Sequence, residues 1–181
     1  SNLKTVAEKD FNHYIINGTK NWVTSGENSD LVIVFCRTNI KAGSKGISAF
    51  IVEKGTPGLI VGKKENKLGI RASDTCELYF DNCKIPKKNL LGNEGDGFSI
   101  AMKALGGGRI GIAAQSVGLA RSSLEQAVKY SKERKQFGKP ICKFGAIQDK
   151  LANIATNIDA ARLLVWKASV YKDQGKDFAK I

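Results

Sequence analysis

Tyr14-Ile15-Ile16-Asn17-Gly18-Thr19-Lys20-Asn21-Trp22-Val23-Thr24 sets the reading of the first half of this 181-residue chain. Apolar and β-branched residues stand on both sides of Asn17-Gly18, and an Asn-Gly pair tolerates the positive φ angles of a type I′ turn. The stretch therefore predicts two strands, Tyr14–Ile16 and Lys20–Val23, joined as a hairpin. Working outward, Leu31 to Cys36 is an almost continuous apolar run, too short for a helix, and predicts a buried strand. Gly46 to Val52 predicts another. Thr56-Pro57-Gly58 predicts a turn into Leu59–Val61, and Thr75–Phe80 a strand ended by Asp81-Asn82 and Pro86. Five or six short strands so spaced predict an antiparallel β-sandwich or barrel.

Beyond Gly92–Gly97, which reads as a hinge, the period changes. A short helix is expected over Phe98–Leu105, interrupted by Gly106-Gly107-Gly108. From Arg109, the spacing of Ile110, Ala114, Val117, Leu124 and Val128 predicts one apolar face of a helix ending near Arg134, roughly 39 Å long. Gly138 and Pro140 mark a loop. Ile147, Leu151, Ile154, Ile158, Ala161, Val165 and Ala168 then step by fours and threes, a stripe suited to antiparallel helix packing. Gly175 is expected to stop that helix, and Asp177 to Ile181 to open another. The fold class expected is α+β: an antiparallel β-sandwich or barrel domain, residues 1–92, followed by a partial antiparallel helical bundle, residues 93–181. Two long helices and a stub cover their own apolar faces poorly, so the chain is expected to be an internal piece of a longer protein and to self-associate when alone.

The chain carries 29 Lys+Arg against 17 Asp+Glu, a net charge of +12, which favours polyanionic or phosphorylated partners. The basic residues are scattered, with a loose cluster at Lys129 to Lys143, and no RNA-binding aromatic motif accompanies them, which argues against nucleic acid. No apolar run reaches the roughly 18 residues of a membrane span. Ser1 to Asp10 lacks an apolar signal core. Cys36, Cys76, Cys83 and Cys142 form no CxxC pair and predict reduced thiols in a reducing compartment. His13 is the single histidine, so neither a metal centre nor a Ser-His-Asp triad is expected.

Tyr14 to Thr24 and Gly46-Ile47-Ser48-Ala49-Phe50-Ile51-Val52-Glu53-Lys54-Gly55-Thr56-Pro57-Gly58 are similar to the middle β-domain of the acyl-CoA dehydrogenases. So are Leu68-Gly69-Ile70-Arg71 with Ser73-Asp74-Thr75-Cys76-Glu77-Leu78, and Ile85-Pro86 followed by Asn89-Leu90-Leu91-Gly92. Arg109-Ile110-Gly111-Ile112-Ala113 and Glu133-Arg134-Lys135-Gln136-Phe137-Gly138-Lys139-Pro140 extend the resemblance into the C-terminal helical domain, in its short-chain, butyryl-CoA form. The resemblance implies FAD as cofactor, an acyl-CoA substrate, α,β-dehydrogenation with hydride passing to flavin N5, and an electron-transferring flavoprotein as acceptor. It also implies a homo-oligomer, dimer or tetramer, in a bacterial cytoplasm or a mitochondrial matrix. An alternative is a non-catalytic binding or assembly module that keeps the scaffold.

By the resemblance, Trp22, Val23 and Thr24 form a flavin-contacting strand, the indole covering the ring system and the hydroxyl reaching it near N5. Taken alone, an aromatic and a β-branched residue also simply fill a strand. Arg134 and Gln136 match positions that reach the flavin dinucleotide of a neighbouring subunit, where a guanidinium suits pyrophosphate. Alone, Arg134 reads as a solvated residue complementing a helix C-terminus. Arg109 matches an acyl-CoA contact, and Ser44 falls near another, or is a plain surface serine. Gly106 stands where the family often has an acid, and Gly145 where a flavin-lining glutamine is usual. No catalytic base is assigned. The family's glutamate is expected C-terminal to Ile181, and Glu125 and Glu133 read as solvated ion-pair partners.

Overall fold

The computed structural model describes residues 3–178 and divides after Met102 into two compact units. In the first unit, β1 (Val6–Asp10) and β2 (His13–Thr24) form an antiparallel hairpin closed at Asp10↔His13. The connecting residues are Phe11 and Asn12, with Phe11 at φ 46°. The hairpin expected at Asn17-Gly18 is therefore not formed: both residues lie inside β2. The cause is the long partner strand β6 (Thr75–Pro86), which pairs with β2 on both sides of that point, across a register shift between Ile16 and Gly18. Asn17 Oδ1 accepts the backbone N–H of Asn82 at 2.7 Å, and Asn82 has φ 46°. The interruption expected at Asp81-Asn82 is thus a local irregularity inside β6 that matches the one in β2. Gly18 has φ 137°, and a Cβ on it would lie 2.8 Å from Thr5 Cα. Close approach, not turning, calls for the glycine.

β3 (Leu31–Arg37) and β4 (Ile47–Glu53) pair antiparallel in register from Leu31↔Glu53 to Arg37↔Ile47. β5 (Leu59–Lys64) joins β6, and β7 (Leu90–Leu91) joins β4. The sheet runs β5-β6-β2-β1-β3-β4-β7, seven strands, with a single parallel contact at Val6↔Arg37. In a flat sheet β2 and β4, three places apart, would be separated by about 14 Å. The Tyr14 and Phe50 rings nevertheless lie 4.8 Å apart. The sheet therefore curls until its inner face meets itself around Tyr14, Ile16, Val34, Cys36, Phe50, Val52, Leu78 and Phe80. β3 is buried on that face alone: Val34 and Cys36 are enclosed, while Leu31 and Ile33 are exposed.

α1 (Gly97–Glu133) is one continuous helix of 37 residues, so Gly106–Gly108 do not interrupt it. Three glycines cost about 1 kcal/mol each relative to alanine, yet each keeps its backbone donor and acceptor, and helical neighbours on both sides carry the ladder through. A Cβ on Gly106 would make ordinary contact with the Phe178 ring at 3.5 Å, one on Gly107 would meet only the flexible end of Lys172 at 3.1 Å, and one on Gly108 would face open space, so packing does not demand glycine here. β8 (Lys135–Gln136) and β9 (Lys139–Pro140) form a small hairpin in place of the loop expected there. α2 (Gly145–Asp173) follows. It ends as expected at Gly175, φ 66°, where the N–H groups of Gly175 and Lys176 donate to the Lys172 and Tyr171 carbonyls. Of the helix expected over 177–181, Asp177 and Phe178 are described and are not helical, and the rest lies outside the described residues.

The expected helix stripes are largely the faces drawn from solvent. Ile158 and Ala168 are buried, and Ile110, Val117, Leu124, Val128, Leu151 and Val165 half-buried, whereas Ala114 and Ile154 remain exposed. The α+β class stands. Among the described residues no helix is long and apolar enough to cross a membrane.

Candidate functional site

The site is built outward from the β2–β6 pair. Pairing runs from Lys20↔Leu78 directly to Val23↔Cys76, so β2 carries one residue more than β6 across this interval. The surplus makes a bulge, and Trp22 takes φ 58°, a left-handed conformation unusual for an aromatic residue. The bulge turns the indole out of the sheet, leaving it 67% exposed. Val23 packs against the core cluster and anchors the strand beneath it. Thr24 pairs with Thr75, and its exposed hydroxyl has no hydrogen-bond partner among the described residues. The three residues thus offer an aromatic surface and a free hydroxyl on an anchored backbone.

The strand leading into the bulge is held by a half-buried cation. β1 meets β3 only at Val6↔Arg37, and beyond that point the Lys20 ammonium spans from β2 to the Phe35 carbonyl of β3 at 2.6 Å. Burial lowers the Lys20 pKa from its ordinary value, with Cys36 acting in the opposite sense. Burial also pushes the Cys36 thiol up to about 12, which keeps it protonated and inert. All four cysteines are free, and Cys36, Cys76 and Cys83 are core residues.

Arg134 follows α1 directly. Its backbone N–H donates to Tyr130 and its carbonyl accepts from Ile141, both at 2.9 Å, while its guanidinium has no partner among the described residues. Gln136 lies exposed on β8, pairing with Lys139. Between them Phe137 and Gly138 take φ 50° and 79°, the conformations of a type I′ turn. Phe137 is 91% exposed at the tip, in edge contact with Phe144 at 6.3 Å. In the sequence Phe137 carries no role beyond its place in the segment from Glu133 to Pro140, because the hairpin that exposes it reads there only as a loop.

Arg109 is exposed on α1. Ser44 is exposed in the 3-10 segment Ile40–Gly46, and its carbonyl accepts the Ile47 N–H. Gly145 opens α2 with open space where its side chain would be. Gln148 is occupied locally, donating to the Cys142 carbonyl at 3.0 Å. Glu125 pairs with Arg121 at 2.8 Å, an exposed i,i+4 contact. The structure groups Trp22, Val23 and Thr24 on one strand and Arg134 with Gln136 at one helix end. Ser44 and Arg109 stand apart along the chain.

The donor set suits a flavin dinucleotide in kind. An exposed indole and a free hydroxyl match a planar heteroaromatic ring, and an unpaired guanidinium with an exposed carboxamide matches a pyrophosphate and its sugar.

Residues 1–83 match the family described as acyl-CoA dehydrogenase, middle domain, and residues 95–180 match acyl-CoA dehydrogenase, C-terminal domain. The short-chain specific acyl-CoA dehydrogenase of Megasphaera elsdenii is 52% identical over 179 residues, 98% of this chain and 47% of that protein. The mitochondrial short-chain specific enzyme of Mus musculus is 50% identical over 176 residues, 97% of this chain and 43% of that protein. The solved structure of butyryl-CoA dehydrogenase from M. elsdenii superposes with a TM-score of 0.92 at 51% identity, covering 98% of this chain and 46% of its own. The chain spans about half the length of the curated relatives it matches.

Proposed function

Because this chain belongs to the acyl-CoA dehydrogenase family, carrying its middle and C-terminal domains, we propose that it forms part of an FAD-dependent enzyme that dehydrogenates a short-chain acyl-CoA. The middle domain is taken as residues 1–92 and the partial helical domain as 93–181. The observation that carries the cofactor assignment is the bulge at Trp22, which exposes a large aromatic side chain from an otherwise well-anchored strand.

In this reading the Trp22 indole covers the flavin ring system and keeps water from it. The Thr24 hydroxyl would hydrogen-bond the ring near N5 and so influence its electronics. Val23 holds both in place through the core. Arg134 and Gln136 bind the dinucleotide of a neighbouring subunit, which makes the working unit at least a dimer. Arg109 and Ser44 are each proposed to contact the acyl-CoA. Bound FAD supplies the hydride acceptor. The carboxylate that removes the α-proton is assigned to none of residues 1–181, so this chain alone is expected to be inactive. Electron-transferring flavoprotein is the proposed acceptor. The relatives include a bacterial and a mitochondrial protein, and the proposed compartment is a bacterial cytoplasm or a mitochondrial matrix.

Titration of FAD into the chain, followed by flavin fluorescence, is expected to show saturable quenching that weakens at least tenfold in Trp22→Ala and in Arg134→Ala. Saturable binding indifferent to both substitutions would overturn these assignments. For the whole protein, bleaching of the flavin by butyryl-CoA is expected, and an FAD-loaded protein that no acyl-CoA reduces would overturn the dehydrogenase reading.

A further inference from the structure

We propose that Asp74 is a positioning residue, holding the turn after Thr24 and thereby the direction in which Trp22 and Thr24 present their side chains. The inference rests on the flavin reading for its functional meaning, and on geometry for its substance.

Two left-handed residues, Trp22 at φ 58° and Ser25 at φ 60°, bracket Val23-Thr24. Neither is glycine, so each stays in that region only if its surroundings hold it there. The turn closes on itself through Gly26 N–H to Val23 and Ser29 N–H to Ser25, Lys54 Nζ donates to the Glu27 carbonyl, and two further bonds tie its backbone to one residue of the partner strand's approach. The Ser25 N–H donates to the Asp74 carbonyl at 3.0 Å, and the Glu27 N–H donates to Asp74 Oδ2 at 3.0 Å. The Asn28 side chain also hydrogen-bonds the Asp74 carboxylate. Immediately beyond, Thr24↔Thr75 and Val23↔Cys76 continue the ladder. Gly26 lies so close to Cys76 that a Cβ would come within 2.6 Å of its Sγ, which seats the turn on the first residues of β6.

Asp74 is only 5% exposed, and no salt bridge to it occurs among the described residues. A carboxylate withdrawn from water without an ion-pair partner persists where hydrogen bonds replace its hydration. Here the Asn28 side chain and the Glu27 N–H of one four-residue turn supply such bonds, alongside the backbone N–H of Asp74 itself and the nearby charge of Lys64. The carboxylate and the turn therefore stabilise each other. Asp74 leaves the flavin strand free to present its side chains while fixing the backbone that aims them.

The test uses the chain with Trp166→Phe, which leaves Trp22 as its one tryptophan. Asp74→Ala is expected to lower the Trp22 fluorescence anisotropy and to weaken FAD binding at least tenfold. Asp74→Asn keeps one oxygen to accept the Glu27 N–H, and is expected to hold both quantities within about threefold of the parent. That rescue is not expected of a residue that contributes only to overall stability. Asn28→Ala, which leaves Asp74 in place, is expected to shift anisotropy in the same direction by less, and it decides the matter if Asp74→Ala does not fold. Folded variants with unchanged Trp22 anisotropy would overturn the proposal. Should the parent chain bind no FAD, the cofactor reading fails, and the anisotropy series still decides whether Asp74 holds the strand end.

Discussion

Single residues in this chain work by satisfying what the sheet leaves open. The buried Tyr14 hydroxyl donates to Glu94, which also pairs with Lys9 at 3.1 Å. The Lys9 pair is largely exposed and contributes little. The Tyr14 bond ties the start of the sheet to the segment that precedes α1. Burial first, and then this bond, push the Tyr14 pKa up to about 12. A raised pKa means the folded state holds the proton more tightly than the unfolded chain. Its contribution is complete below about pH 10 and is lost as pH rises towards 12. For Glu94 the Tyr14 hydroxyl is the largest cause of a lowered pKa. That contribution is present above the ordinary carboxylate range and is lost as pH falls through the lowered value. Tyr14→Phe is expected to cost about 1–2 kcal/mol and to flatten both arms of a plot of Tm against pH. An unchanged alkaline arm would contradict the assignment. Neither Tyr14–Glu94 nor Asp74 was legible as a pair in the sequence, because the partners lie 80 and 47 positions away.

At the scale of elements, glycine carries opposite meanings in β2 and α1. Gly18 sits where the backbones of β2 and the Thr5 segment nearly touch, so Gly18→Ala is expected to destabilise by about 2 kcal/mol or more. Gly108 has open space around a prospective Cβ in the middle of a helix. Gly108→Ala is expected to raise stability by about 0.5–1 kcal/mol and to add helical signal. Thermal melts followed by circular dichroism check both signs. A helix broken at Gly106–Gly108 would gain nothing from the alanine. The local reading of Asn17-Gly18 as a turn and of Gly106–Gly108 as a break failed for one reason. Intrinsic preference is worth about a kilocalorie, and a twelve-residue partner strand or a continuous hydrogen-bond ladder outweighs it.

For the molecule as a whole, the helical unit exposes apolar side chains beyond the faces its two helices cover. Leu119 on α1 is 66% exposed and Trp166 on α2 60%, with Ile112, Leu163 and Leu164 also open. A cleft of about 210 Å³ between the helices is lined by Val117, Gly118, Val165 and Trp166, with Arg121 and Arg162 at its polar side. Surface of this kind favours association. Light scattering at micromolar concentration is expected to report a mass above the 19.6 kDa of one chain, and Leu119→Glu with Leu163→Glu to reduce it. A clean monomer would contradict this. By itself the sequence determined the α+β class, most strand positions, the change of period near Gly97 and the stop at Gly175, because each is written in nearest-neighbour chemistry and short-range periodicity. Only the tertiary structure decided that Phe11-Asn12 makes the first hairpin, that α1 is unbroken, and that Trp22 stands out on a bulge braced from Asp74. Those outcomes depend on pairing and close approach between residues far apart in the chain, where long-range contacts override local preference.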